Sequence, residues 1–192
     1  MFKCVSPAIY PKKQRGSESN ETHKKYPYLL KDLLITHPNQ VWGTDITYIR
    51  LAKGFCYLVA LIDWYSRYVV AWQLSDTLHM DFCLENVSQA LTLATPDIHN
   101  SDQGSHFTSP AYTDLLHDAG VTISMDGRGR CMDNIFTERL WRTVKYEDVY
   151  IKSYATFEEA QEGLNAYFLF YNKKRPHQSL GYCTPEEWYQ GK

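Results

Sequence analysis

Three short segments follow one another, Val41 to Leu51, Phe55 to Ile62 and Tyr68 to Leu74. All are dominated by β-branched and aromatic residues, and they are broken only by Lys53-Gly54 and the stretch Asp63 to Ser66. That pattern reads as three strands in a meander. The periodicity then changes. From His79 to Leu93 the apolar positions Phe82, Leu84, Val87, Ala90, Leu91 and Ala94 recur at spacings nearer three to four than two, which predicts a helix packed on the sheet. Asp97 to Ser101 reads as a short strand, and Val121 to Ser124 as another. Between them Ser109-Pro110 opens a helix that Gly120 ends. After the glycine-bearing loop 126–130, Asp133 caps a helix through Ile135, Leu140, Trp141 and Val144. Thr156 with Glu159 has the spacing of a capping box, introducing a last helix to about Tyr171. The order β-β-β-α-β-α-β-α-α gives an α/β fold, a mixed five-stranded sheet flanked by helices.

With 192 residues, 44% of them apolar, the chain has material for one main core. Three parts are expected: a basic polar arm over 1–36, flexible in character, a core over 37–150, and a C-terminal helical extension over 151–192. Five cysteines, widely spaced and without a Cys-x-x-Cys pair, read as reduced thiols. No apolar run is long enough for a bilayer span, and the opening MFKCVSPAIYPKKQ lacks a signal-peptide core, so a cytoplasmic protein with no membrane partner is expected. A net charge of -2 argues against a generic DNA-coating protein. The charge is nonetheless uneven: Lys12, Lys13, Arg15, Lys24, Lys25 and Lys31 crowd the start, while Arg128, Arg130, Arg139, Arg142 and Lys145 crowd a later stretch. Each cluster is either a local basic surface or a solvated polar face.

Two carboxylates stand out because of where they fall. Asp45 lies inside an otherwise apolar strand, where an unpartnered charge is costly. A period of two places Gly43 and Thr47 on its face and Trp42, Thr44, Ile46 and Tyr48 on the other. Asp102 ends a second strand just before Gln103-Gly104, where parallel-type sheets present functional side chains. Glu138 is carried by the helix after the glycine loop. Two strand carboxylates and one helix carboxylate can converge on hard divalent ions of the Mg²⁺ or Mn²⁺ type, and two such ions can assist an in-line phosphoryl displacement. The blander alternatives are an edge-strand Asp, a turn Asp and an exposed polar stripe.

Asn134 lies four residues before Glu138 and Lys145 seven after. Seven residues turn a helix through about 700° and advance it about 10 Å, so all three share a face. An amide, a carboxylate and a cation in a row would make a track beside a phosphate backbone. His106 follows Asp102 closely and is a candidate neighbour of the site, but an ordinary loop hydrogen bond is favoured. Tyr57, Trp64, Tyr65, Tyr68 and Trp72 read as sheet packing rather than platforms for bases.

The segments TDITYI, LIDWYSRYVVAW, NSDQGSHFTS, SMDGRGRCMDN, ERLWRTVKYEDVY and YNKKRPHQSLGYCTPEEW resemble the OrfB-type transposases of the insertion-sequence-three family, over about Tyr26 to Lys192. The resemblance implies a ribonuclease-H-like fold and an Asp-Asp-Glu recombinase site, in which Asp45, Asp102 and Glu138 are the catalytic, metal-binding acids and Lys145 matches a basic position downstream. It implies DNA cleavage and strand transfer with Mg²⁺ or Mn²⁺, two ions, as cofactor. It places Asn134, Lys145, Arg128 and Arg130 as candidate DNA contacts. The implied partners are DNA, both element ends and target, a second copy of the chain on DNA, and an upstream DNA-binding transposase subunit; in the cell it would be a bacterial cytoplasmic protein at the nucleoid. Gly43 stands where such sequences often have serine, and small residues are expected to serve equally there. Relatives usually carry a helical DNA-binding region ahead of the core, where this chain shows a short arm. A fragment that binds DNA or sequesters subunits without catalysis therefore stays open as an alternative. The segment Tyr171, Asn172, Arg175, Pro176 and His177 is either a structural turn or a DNA contact, with structure favoured.

Overall fold

A computed structural model describes residues 23–127 and 134–191. The first 22 residues of the expected arm, and Arg128 and Arg130 of the candidate DNA contacts, lie outside the described residues. The meander is present as β1 (Val41–Arg50), β2 (Phe55–Asp63) and β3 (Val69–Ser75), joined antiparallel. Two shorter strands, β4 (Ile98–Ser101) and β5 (Thr122–Met125), complete a sheet of order β3-β2-β1-β4-β5. β4 runs parallel to β1, and β5 parallel to β4. The sheet is therefore mixed and five-stranded, as the element order predicts.

Alternation along the central strands divides the interior in two. Val59 and Leu61 face one cluster, built with Phe82, Val87 and Leu116 of α1 (Asp81–Leu93) and α2 (Pro110–Asp118). Leu58, Ala60 and Ile62 face the other, which includes Leu140 and Val144 of α3 (Ile135–Val144) and Leu164 and Phe168 of α5 (Phe157–Lys173). The result is a sheet between two helical layers, each layer burying the apolar stripe of its helices. α2 begins as its sequence signal demands, with Ser109 as cap accepting from the Tyr112 N–H and proline in the first turn. Thr156 likewise caps α5 by accepting from Glu159 N–H.

Periodicity does not foresee the end of α3. There the helix widens into a π-helical turn over Lys145–Val149 and closes as the short α4 (Tyr150–Lys152). Asp148 is buried inside this turn, bound by the Tyr154 hydroxyl and by Lys152. A short α6 (Pro185–Tyr189) with a full capping box at Thr184 also went unread. It is held by aromatic pairs: Tyr65 against Trp188, and Tyr68 stacked on Tyr189 at 4.6 Å. Trp64 meets Phe136 and Trp72 meets Phe168, so these aromatics pack the fold, as expected. Asn172 is structural: its amide accepts from Val69 N–H and donates to Val69 C=O, tying α5 to β3.

Candidate active site

The parallel register sets the site. Gly43 of β1 lies opposite Asn100 of β4, so two steps on, Asp45 faces Asp102 across neighbouring strands. Ser101 lies opposite Met125 of β5, and one step on, Asp102 faces Asp126. The Asp126 N–H to Ser101 C=O bond of 2.9 Å carries the ladder that far. Three aspartates thus stand side by side across three neighbouring strands, Asp45 midway along β1 and Asp102 and Asp126 just past the ends of β4 and β5. Asp126 reads in the sequence only as part of a glycine-bearing loop; the signal that would have found it is its offset from the end of the fifth strand.

Each carboxylate is fixed by a donor. Trp141 Nε1 of α3 donates to Asp45 Oδ2 at 3.0 Å. Gly104 N–H donates to Asp102 Oδ1 at 2.8 Å, a local turn following the strand. Asn100 Nδ2 donates to Asp126 Oδ1 at 2.7 Å. Burial pushes the Asp45 carboxyl up to about 7, with repulsion from Asp102 adding to it, the Trp141 bond opposing, and Asp126 contributing a smaller repulsion. Burial also raises Asp102, against the Gly104 bond and the nearby His106. His106 itself makes the ordinary loop bond, Nε2 to Leu78 C=O at 3.0 Å. Burial and the neighbouring carboxylates together therefore disfavour the charged form of Asp45. Its donors are oxygen alone, the chemistry that suits Mg²⁺ or Mn²⁺.

Glu138 sits in the first turn of α3 and is exposed to solvent. Among the described residues no three Asp, Glu, His or Cys side chains gather closely enough to hold a metal ion. The structure therefore brings Asp45 and Asp102 together but does not close a ligand set around them with Glu138.

Asn134 and Lys145 both reach β1, whereas Glu138, expected on the same face, is exposed. Asn134 is buried; Nδ2 donates to Thr44 C=O at 3.0 Å and Oδ1 accepts from Thr137. This corrects the expectation of a DNA-contacting amide, because both polar atoms are used to dock the start of α3 on β1. Lys145 Nζ donates to Thr47 Oγ1 at 2.7 Å on the Asp45 face of β1. Partial burial lowers its pKa and the nearby Asp45 partly restores it. Gly43 is where α3 and the sheet touch most closely. A Cβ there would lie 2.3 Å from Trp64 Nε1 and 3.0 Å from both Asn134 Oδ1 and Thr137 Oγ1, so small residues do not serve equally at this position.

With this geometry in view, comparison with known proteins gives a consistent result. An integrase core domain model matches residues 35–131, and a second integrase core domain model matches residues 119–185. The transposase for insertion sequence element IS629 of Shigella sonnei is 31% identical over 159 residues, covering 82% of this chain and 54% of that protein. The transposase for insertion sequence element IS904 of Lactococcus lactis subsp. lactis (strain IL1403) is 34% identical, covering 80% and 62%. The putative transposase InsK for insertion sequence element IS150 of Escherichia coli (strain K12) is 30% identical, covering 94% and 65%. The chain thus spans between half and two thirds of the length of these relatives. Among solved structures, the HTLV-2 integrase catalytic core domain in complex with magnesium superposes with a TM-score of 0.64 at 16% identity, over 80% of this chain and 97% of that one. A chain of the simian T-cell lymphotropic virus intasome in complex with PP2A regulatory subunit B56 gamma gives 0.72 at 15% identity, over 92% and 62%. At such identities the likeness speaks for the fold, which is ribonuclease-H-like. The chain belongs to the integrase core domain family, and the relatives it resembles are transposases of insertion sequence elements.

Proposed function

We propose that this chain carries out the metal-dependent cleavage and strand transfer of DNA transposition, with Asp45, Asp102 and Glu138 as its catalytic acids. The observation that carries the reading is the register pairing of Asp45 with Asp102, two desolvated carboxylates on adjacent strands, the first midway along β1 and the second just past the end of β4. Asp45 and Asp102 would hold Mg²⁺ or Mn²⁺, two ions, with Glu138 as the ligand from α3. When bound, such ions supply activation of an attacking oxygen and stabilisation of a leaving oxygen. The protein's part is orientation. The Trp141 N–H, with the Ile46 backbone N–H, orients the Asp45 carboxylate, and Gly104 N–H orients that of Asp102. Lys145, bonded to Thr47 beside Asp45, supplies positive charge at the edge of the site for a phosphate. Arg128 and Arg130 are proposed as further phosphate contacts.

The substrates on this reading are the element ends and target DNA, with water and then a DNA 3′-hydroxyl as nucleophiles. Two ends handled together call for a second copy of the chain, and end recognition calls for an upstream DNA-binding transposase region or subunit. No described helix is long and apolar enough to cross a membrane, which is consistent with a cytoplasmic site of action. The test is an assay of labelled element-end duplex with Mg²⁺ or Mn²⁺, using the full chain with and without an upstream DNA-binding partner. Nicking and joined products that require both the metal and the two aspartates are the expected result. Full activity in folded Asp45→Asn, Asp102→Asn or Glu138→Gln would remove that residue from the set.

A further inference from the structure

The far flank of α3 carries a second charged region, of opposite sign. A cleft of about 160 Å³ is lined by Arg67, Arg139, Arg175 and His177, with Phe136 and Tyr171 among its apolar walls. The residues come from the β2–β3 turn, from α3, and from the segment after α5, and are far apart in sequence.

Arg67 is held in place by a tightly specified turn. Asp63 Oδ1 accepts from the N–H and hydroxyl of Ser66, Asp63 Oδ2 accepts from Asn39 N–H, and Asp63 C=O accepts from Arg67 N–H. The turn sets Arg67 at φ 65°, a left-handed conformation that a non-glycine residue adopts at a cost. Its guanidinium lies 3.6 Å from the centre of the Phe136 ring. The Asp63 carboxylate is already committed to Ser66 and Asn39, and the buried Arg67 Nη1 has no hydrogen-bond partner. A buried guanidinium donor without an acceptor is costly, and its natural complement is an anion.

The neighbours reinforce this. Arg139, exposed on α3, adds a like charge that Arg67 feels, and among the described residues no salt bridge neutralises either arginine. Arg175 is braced by Glu147, Nε to Oε2 at 2.7 Å and Nη2 to Oε1 at 2.5 Å, which fixes its position beside the cleft. Its Nη1 lies 3.2 Å from His177 Nε2. A guanidinium can only donate, so His177 accepts through Nε2 and keeps its proton on Nδ1. The cleft therefore combines Arg67, which feels the Asp63 charge but among the described residues makes no salt bridge and leaves Nη1 without an acceptor, Arg139, which makes no salt bridge among those residues either, Arg175, which is positioned by a carboxylate, and a neutral imidazole.

We propose that this cleft is a phosphate-binding site that takes a backbone phosphate of DNA. The choice of DNA as the source of the phosphate rests on the function proposed above. Planar guanidinium groups match phosphate oxygens in a way that lysine does not. α3 then connects two engagements with DNA: one flank meets the acid site through Trp141 and Lys145, and the other presents Arg139 to a phosphate removed from the chemistry.

Two measurements on the full chain test the site. In the first, thermal melting is followed against inorganic phosphate at constant ionic strength for the wild type, Arg139→Gln and Arg67→Gln. Arg139 is exposed, so its variant is expected to fold and carries the test if Arg67→Gln does not. Phosphate should raise the wild-type melting temperature saturably, and the response should vanish in both variants. In the second, binding to a duplex is measured across salt concentrations. Arg139→Gln should bind about tenfold more weakly near 0.1 M salt, with a salt slope shallower by about one unit. Identical behaviour of wild type and Arg139→Gln in both measurements overturns the proposal. A lost phosphate response with unchanged duplex binding overturns the DNA assignment, since the cleft then takes only free anions. A wild-type chain that binds no duplex, yet is stabilised by phosphate, overturns that assignment through failure of the functional reading itself.

Discussion

On one flank of α3 stand Asp45 within β1 and Asp102 and Asp126 just past the ends of the parallel strands β4 and β5; on the other stand Arg67, Arg139 and Arg175 around a cleft. In both, burial is the largest influence and like charge adds to it. It pushes Asp45 up to about 7 and Arg67 down to about 10, with Asp102 acting against the first and Arg139 against the second. The regions differ in how their geometry is fixed. The aspartates are placed by backbone register, and two of their three donors are backbone-anchored or sit on the strands themselves. The arginines are placed by side-chain contacts across three separate segments: a ring stack for Arg67 and a carboxylate brace for Arg175. Strand register tolerates little motion, which suits groups that must meet reacting atoms. Long arginine side chains can follow a flexible backbone, which suits groups that only hold it.

The sharpest way to break this division is to neutralise the acid row. Asp45→Asn and Asp102→Asn should each reduce end cleavage by about a thousandfold or more, on the scale of removing a principal electrostatic group from a reaction centre. Duplex affinity measured without cleavage should change little, since the phosphate contacts are made by Lys145 and the arginines and not by the aspartates. A matched loss of cleavage and binding in either variant would merge the two regions into one function. Next in size is the seam between them. Gly43→Ala puts a methyl group against Trp64, Asn134 and Thr137, where overpacking costs about 1–3 kcal/mol. Chemical denaturation should show that loss; an unchanged midpoint would mean that α3 can retreat from β1 freely.

Removing the acid charge should also stabilise the protein when no divalent ion is present. In chelator near pH 8, Asp45→Asn should melt about 2–4 °C above wild type, the shift expected for about 1 kcal/mol in a chain of this size. The amide oxygen can still accept from Trp141, so the change isolates the charge. Added Mg²⁺ should narrow or reverse the gap by stabilising only the wild type. A lower melting temperature for the variant in chelator would show that the carboxylate is already neutralised by the protein.

The sequence made one of these regions visible and hid the other, for physical reasons. Strands of β-branched residues have a period of two, so a lone Asp45 among Trp42, Thr44, Ile46 and Tyr48 is conspicuous, and Asp102 is conspicuous at a strand end. Their pairing needed the parallel register, which no local pattern encodes, and Asp126 was missed with it. Helical periodicity puts Asn134, Glu138 and Lys145 on one face, but Asn134 caps α3 with non-helical backbone angles and is buried while Glu138 is exposed, and periodicity does not say what a face looks at. The π-helical turn escaped because its anchor, buried Asp148, looks like a surface acid in an amphipathic pattern. The arginine cleft was illegible because Arg67, Arg139 and Arg175 meet only after the β2–β3 turn, α3 and the segment after α5 have packed.

The smallest expected effect concerns His177, and it tests whether the cleft is electropositive in solution. Burial, the largest cause, and the like charges of Arg175 and Arg67 together lower its pKa to about 4, and Glu147 alone opposes them. A base whose folded pKa lies below its ordinary value of about 6.5 stays neutral in the native state while the unfolded chain takes up a proton. Stability contributed by neutral His177 is therefore complete above about 6.5 and is lost as the pH falls towards 4. His177→Gln can still accept the Arg175 Nη1 bond through its side-chain oxygen but has no proton to gain. Between those pH values the variant should lose less stability than the wild type, by on the order of 1 kcal/mol once solvent screening at this partly exposed site is allowed for. At pH 8 the two should be nearly equal. Saturating phosphate should shrink the difference, because an anion beside Arg67 and Arg139 offsets the repulsion that keeps the imidazole neutral. Parallel acid-stability curves for the two proteins would place His177 outside the field of the arginines and leave Arg67 and Arg139 as separate surface charges.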